Sequence, residues 1–157
     1  MSRLMDLVAG DASAILLAIG LDDLASLDDR GRFPAHLALG SGLDPTWLDL
    51  FAEAVRTVTG GDAPSDFIDA RLEIEAPDPD GERTVERVDP TWVTAVAMIP
   101  ERDLGAIAGR WIELVEDELG GLPREEKPWI RDLAGRLVTF CQAADRAPDV
   151  LFAWSLR

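Results

Sequence analysis

The sequence predicts one α+β domain, rich in helix, with five or six helices and a small, mainly antiparallel sheet of about three strands. Long segments such as 104–119 repeat their apolar residues at the 3.6-residue period of an amphipathic helix. Residues 67–76 instead alternate apolar and charged side chains, as a half-buried strand does. With 157 residues and 47% hydrophobic content, the chain can bury one sizeable core. We therefore expect residues 1–157 to form a single domain.

The first 29 residues carry apolar side chains at a spacing typical of a helix. Residues 14–19 are also compatible with a buried strand, because short apolar runs do not distinguish the two. Leucines at three-residue spacing, framed by aspartates, then predict a short amphipathic helix with an acidic face. These aspartates are candidates for binding a basic partner: Asp22, Asp23, Asp28 and Asp29. Calcium loops need alternating oxygen ligands and a turn-making glycine rather than adjacent aspartates, so we predict no metal site.

Residues 31–42 are predicted to form a connector whose apolar content docks it on the core. They include His36, the only histidine in the chain. Catalysis by His36 would need a nucleophile and a carboxylate arranged around it, and the sequence shows no such arrangement. A lone histidine in a docked segment is more often structural. We add His36 to the candidate partner-binding residues and name no catalytic residue.

The tetrapeptide Asp-Pro-Thr-Trp stands twice in the chain, at 44–47 and at 89–92. Its aspartate can accept hydrogen bonds from the first turn of a helix, and its proline fits the first helical position. Its tryptophan then lies in the first turn, where it can cover a core. The sequences diverge afterwards, whereas a structural repeat stays similar over about 20 to 50 residues. The two copies therefore predict helix starts that feed one core, in preference to a duplicated binding motif.

A helix and a hairpin are expected in the middle of the chain. Residues 45–59 have a helical period and end at a Gly-Gly pair, which is typical of a helix stop. The strand at 67–76 is followed by the turn sequence 77–81, which is rich in proline and aspartate. A returning strand at 83–88 would complete an antiparallel hairpin.

The second half of the chain is predicted to be mainly helical. Pro100 should separate a short helix at 90–99 from a longer one at 104–119, because the residue before a proline is disfavoured in a helix. A last helix is expected at 129–146. The closing segment 150–156 carries large apolar residues at successive positions, which predicts a strand near the centre of the sheet.

The net charge of −15 and the isoelectric point near 4.3 limit the classes of partner. Nucleic acids and anionic membrane surfaces would be repelled, whereas a basic protein would be attracted. Only Lys127 among the 15 basic residues is a lysine. That composition is also typical of a GC-rich bacterial genome with an acidic proteome, in which case the charge reports solubility rather than a partner.

Cys141 is the only cysteine, so neither an intramolecular disulfide nor a cysteine metal knuckle is possible. Its apolar helical surroundings predict a buried thiol that behaves as a small hydrophobe. The longest apolar run, 12–20, is too short to span a bilayer, and nearby acidic residues disfavour a signal peptide. We expect a reducing, cytoplasmic location, no cofactor, no nucleic-acid or membrane partner, and a monomer or homodimer.

The segment 137–144, Leu-Val-Thr-Phe-Cys-Gln-Ala-Ala, followed by the closing strand at 150–156, resembles the end of small bacterial domains of the YfbM-like type. The helix that begins near Trp47 is similar to an early tryptophan helix in that family. The resemblance covers the last third of the chain and that helix, and it includes no specific motif. It implies an α/β or α+β single domain without an established activity, so no catalytic residue is carried over.

We therefore expect a non-enzymatic, acidic binding protein, in its most concrete form an immunity or inhibitor protein for a basic partner. One alternative is a hydrolase-like enzyme whose carboxylates and His36 converge only in the fold. Glu113 and Asp117 share one helix face, as paired catalytic carboxylates would, but we interpret them as a solvated face. A further alternative is a structural domain that self-associates through a tryptophan-rich surface. The sequence leaves open whether the chain is an enzyme.

Overall fold

The structure is a computed structural model that describes residues 5–21, 23–39, 44–61, 66–72, 83–121 and 126–155. These residues form five strands, five α-helices and one short 3-10 helix. The strands are β1 (Met5–Gly10), β2 (Ala35–Ala38), β3 (Ile68–Leu72), β4 (Arg83–Val88) and β5 (Asp149–Ser155). The helices are α1 (Ala12–Gly20), the 3-10 helix (Leu24–Asp28), α2 (Thr46–Thr59), α3 (Pro90–Ala97), α4 (Glu101–Leu119) and α5 (Glu126–Ala144). The predicted helix-rich α+β fold class is confirmed.

The strands form one sheet in the order β2-β1-β5-β4-β3, and every neighbouring pair is antiparallel. The predicted central position of the last strand is confirmed, because β5 pairs with β1 on one side and with β4 on the other. The predicted hairpin is also confirmed in its strand pairing, since β3 runs antiparallel to β4. Its turn at 77–81 and the end of its first strand, 73–76, lie outside the described residues.

The expectation of about three strands is wrong, because the described residues form a sheet of five. β1 forms where the apolar spacing predicts a helix, and β2 forms within the predicted connector. In β1, Leu7, Val8 and Ala9 are all fully buried, so the strand lacks the apolar-polar alternation that identifies a half-buried strand. The strand ends at Gly10, whose φ of 154° and close approach to the Phe33 ring favour glycine.

Helices cover both faces of the sheet. Leu7 and Phe152 point to one face and join the larger core that α2, α3, α4 and α5 build. Val8 and Leu151, their neighbours in sequence, point to the opposite face and pack with α1 and the 3-10 helix. Successive residues of the central strands therefore stabilise two different apolar layers.

Two indoles join the start of α2 to α3 and α4. Trp92 donates its Nε1–H to the Leu48 carbonyl at 3.3 Å, and Trp111 donates its own to the Trp47 carbonyl at 2.7 Å. The Phe51 ring lies between them, with its centroid 4.7 Å from that of Trp111 and 6.4 Å from that of Trp92. Since Trp47, Trp92 and Trp111 are all buried, the prediction that the repeated tetrapeptide feeds one core is confirmed.

Both tetrapeptides also start helices as predicted. The Asp89 carboxylate accepts the Thr91 N–H at 2.8 Å, and Pro90 occupies the first helical position. The Asp44 carboxylate accepts the N–H and the hydroxyl of Thr46, at 2.9 and 2.8 Å. A hydrogen bond from a threonine N–H to the aspartate two residues earlier therefore stands at the start of both α2 and α3.

Replacing Trp111 by Phe should lower the free energy of unfolding by about 2 to 3 kcal/mol, because the buried Trp47 carbonyl loses its indole donor and the smaller ring leaves space. Urea unfolding followed by circular dichroism would measure the change.

Trp154→Phe is the matched control. Trp154 is only half-buried and donates to the Glu86 side chain at 2.8 Å, so water can replace it and the expected loss is below about 1 kcal/mol. Equal losses in the two variants would contradict the structural role given to Trp111.

Candidate functional site

His36 and Asp6 lie on neighbouring strands and point to the same face of the sheet. The register pairs Val8 with His36 and Asp6 with Ala38, and side chains alternate between the faces along each strand. Asp6 and His36 are therefore diagonal neighbours on the face that α1 and the 3-10 helix cover. His36 Nε2 lies 2.6 Å from Asp6 Oδ2, and the two side chains are only 10% and 14% exposed.

Asp28, the last residue of the 3-10 helix, completes the arrangement. Its Oδ1 lies 2.7 Å from His36 Nδ1, and its side chain is 70% exposed. Asp6, His36 and Asp28, which we call the histidine clasp, thus join β1, β2 and the 3-10 helix. Arg30 approaches the outer carboxylate at 3.8 Å.

The geometry of the histidine clasp favours a protonated ring. The hydrogen bond to Asp6 raises the pKa of His36 above its usual value; burial opposes this, and the bond to Asp28 adds to it. A neutral imidazole has one N–H, so donation to two carboxylates at once requires the cation. In Asp28, the hydrogen bond from His36 holds the pKa of the carboxyl below its usual value. The clasp is a charged, bidentate link.

This arrangement suits positioning better than proton abstraction. A general base must present a free nitrogen lone pair to the proton that it removes. In the clasp both ring nitrogens of His36 are engaged by carboxylates. The arrangement can therefore fix the position of β2 relative to β1 and the 3-10 helix.

The structure gives the other candidate aspartates different roles. Asp29 accepts the Gly31 N–H at 3.0 Å and so stabilises the turn after the 3-10 helix. Asp23 is exposed at the start of the 3-10 helix and makes no side-chain capping bond there. Asp22 lies outside the described residues. Among the described candidates, the fold therefore brings only Asp28 and His36 into contact.

Sequence reasoning missed Asp6. The available signal was a single carboxylate within the apolar run that becomes β1, since a buried carboxylate needs a partner. Finding that partner required the pairing of β1 with β2, which brings together residues 30 positions apart.

A groove of about 690 Å³ lies beside the clasp, and we call it the β2–α5 groove. One wall is formed by residues 35–37 of β2, and another by the start of α4, including Glu101. Small α5 side chains leave room along it: Gly135, Thr139 and Ala143. A groove of this size is within the range of ligand sites in proteins.

The other groups considered from the sequence are placed on the surface or in the core. Glu113 and Asp117 are exposed on α4, and Arg110 pairs with Glu113 at 3.0 Å. Cys141 is buried as predicted, and burial raises the pKa of its thiol, which keeps it protonated and unreactive.

In the part of the chain that the structure describes, no cluster of three or more histidine, cysteine, aspartate or glutamate residues has an arrangement that would hold a metal ion. No helix in that part has both the length and the apolar character needed to cross a bilayer.

His36→Gln should destabilise the protein more in mildly acidic than in alkaline solution. The folded-state pKa of His36 is above 6.5, so its contribution is complete below about pH 6.5 and is lost as pH rises through the folded value. The folded-state pKa of Asp28 is below 3.8, so its contribution exists above about pH 3.8 and is lost as pH falls through the folded value. The difference in unfolding free energy between wild type and variant should therefore be largest between those limits, which urea unfolding across pH would measure.

A proton NMR titration offers an independent check, because the chain has one imidazole and the signals need no assignment. Asp28→Asn should lower the pKa of His36 towards its usual value, since one carboxylate is removed. An unchanged titration midpoint would contradict the contact. Asp29→Asn serves as control, because Asp29 bonds to Gly31 instead of the ring.

Comparison of the chain with protein-family models, curated proteins and solved structures finds no match. The resemblance to the YfbM-like domains therefore stays a prediction.

Proposed function

We propose that this protein is a non-enzymatic cytoplasmic binding protein that captures a basic protein, as an immunity or inhibitor protein would. The net charge of −15 supports the proposal, because it attracts a basic partner over long range and accelerates encounter. The observation that carries it is the pair of exposed carboxylates, Asp117 and Glu118, at the end of α4.

The last two turns of α4 concentrate negative charge where it is least favourable to the helix. Glu116 pairs with Lys127 at 2.8 Å, but Asp117 and Glu118 are exposed and have no ion pair in the described part of the chain. The last turn carries no basic residue, although cations are preferred at the negative end of a helix. These two charges therefore oppose the stability of α4, and a basic partner would relieve that cost.

A second candidate is the hydrolase-like enzyme, which the juxtaposition of His36 with the β2–α5 groove favours. The engaged ring nitrogens of His36 count against it. The self-association alternative relied on a tryptophan-rich surface, whereas Trp47, Trp92 and Trp111 are buried and Trp129 and Trp154 are half-buried. We therefore favour capture of a basic partner.

The proposal predicts that proteins captured from a bacterial lysate by the immobilised chain are basic, and that their association is steeply dependent on salt. The association rate of a captured, purified partner should fall by roughly tenfold or more from low to high salt, because steering is screened. Stopped-flow or surface-binding kinetics would measure it. Capture of acidic proteins, or a rate that is indifferent to salt, would reject the proposal.

The variant Glu118→Gln sharpens the test. Removing this charge should stabilise the free protein by about 0.3 to 1 kcal/mol, because it relieves repulsion at the helix end, and should slow association with the partner. For the effect on stability, the matched control is Asp103→Asn, which removes the same charge from the first turn of α4 and should destabilise the free protein. Thermal unfolding and association kinetics together separate the two effects.

A further inference from the structure

We propose that the open edge of β2 is the docking site for an extended, basic segment of the partner, which adds to the five-stranded sheet as a further strand within the β2–α5 groove. This inference rests on the proposed capture of a basic protein. It assigns one segment of that partner a place beside the start of α4, at the opposite end of the helix from Asp117 and Glu118, and a binding mode.

The backbone of β2 has hydrogen-bonding groups that face outward. Among the described residues, β2 is the terminal strand of the sheet and pairs only with β1. The Leu39 N–H donates to the Met5 carbonyl at 2.8 Å, which makes that pair a hydrogen-bonded one. Hydrogen-bonded and non-bonded pairs alternate along an antiparallel ladder, so Leu37 also bonds to β1. The N–H and C=O groups of His36 and Ala38 therefore point away from the sheet.

These outward groups are available to a partner. In the described part of the chain, no backbone hydrogen bond outside the strand pairings reaches His36 or Ala38. A strand laid beside β2 would find two donors and two acceptors there, at the spacing of an antiparallel or parallel ladder. Pro34, just before the strand, has no N–H and limits the ladder to β2 itself. At about 3.3 Å per residue, the edge offers about 13 Å of pairing.

The groove gives the added strand a place for its side chains. Alternate side chains of a strand lie on opposite faces, so one set would point over the exposed face of α5. There the small residues Gly135, Thr139 and Ala143 leave space. The backbone would supply affinity and the groove would supply selectivity, as in other cases of strand addition.

The charges beside the edge select the occupant. Glu101 is exposed and has no ion pair in the part of the chain that the structure describes. The three cations among the described residues that line the groove are already neighbours of carboxylates: Arg136 lies 2.8 Å from Asp132, Arg30 lies 3.8 Å from Asp28, and His36 is held by the clasp. A lysine or arginine of the added segment would compensate Glu101. A second copy of this chain would instead bring its own net charge of −15.

The histidine clasp prepares the edge for this contact. It fixes the His36 side chain on the face of the sheet, while the His36 backbone faces outward. Holding the strand in its binding conformation reduces the entropy lost on association.

To test the inference, random peptides displayed on phage would be selected for binding to the full-length protein. The selected peptides would then be synthesised. We expect them to be enriched in lysine and arginine. Hydrogen exchange followed by mass spectrometry or NMR should show slower exchange of the His36 and Ala38 amides in the complex, with little change at Leu37, which already bonds to β1. Failure to select any peptide, or protection confined to other segments, would overturn the inference.

Ala38→Pro removes one outward donor and should weaken peptide binding by about tenfold, whereas Ala38→Ser keeps the N–H and should bind like wild type. Circular dichroism would establish that both variants fold, and the exchange measurement on wild type does not depend on either. Equal binding by two folded variants would overturn the strand-addition mode. Dimerisation of the free protein that Ala38→Pro abolishes would identify a second copy as the occupant and reject the basic segment.

A failure of the β2 docking site can be distinguished from a failure of the proposed function. If the lysate partner binds Ala38→Pro and wild type equally and remains basic and salt-sensitive, capture stands and the docking site is wrong. If the captured proteins are not basic, the proposed function itself fails.

Discussion

The pairing of β5 between β1 and β4 is the constraint on which the rest of the structure depends. Without β5, the sheet would divide into two antiparallel pairs, β2 with β1 and β3 with β4. The register places Met5 opposite Trp154, so the sheet is completed by contacts between distant parts of the chain. Such contacts require closure of a long loop before they contribute, and they slow folding. The central strand therefore decides which strands are left at the edges, and β2 is one of them.

An edge strand carries a risk, because its unpaired backbone can pair with other chains. In β2 the risk is limited by its length of four residues and by Pro34 before it. The high negative charge adds a further barrier between copies of the chain, whereas the same charge favours approach of a basic segment. The short length of β2 and the negative charge of the protein together disfavour pairing with another copy of the chain and still allow pairing with a basic segment.

The amphipathic helices and the central strand β5 could be predicted from the sequence, whereas β1, which is also buried on both sides, could not. Periodicity located α2 and α4, because their outer faces remain charged or polar. β1 is enclosed by helices on both faces, so its apolar run resembled a helix. β2 is too short to show a pattern. Two residues of the histidine clasp, Asp28 and His36, were candidates from the sequence. Their link to Asp6 depends on the pairing of β1 with β2, which no local sequence pattern reveals.

His36 shows how one residue can serve stability and recognition at the same time. Its side chain lies on a sheet face, where two carboxylates hold it, while its N–H and C=O lie in the plane of the sheet and point away from β1. Because these directions are perpendicular, engaging the backbone does not require the clasp to open. An enzyme would need the opposite arrangement, with a ring nitrogen directed into the groove. The geometry of this single imidazole therefore connects the electrostatics of the fold to binding rather than to catalysis.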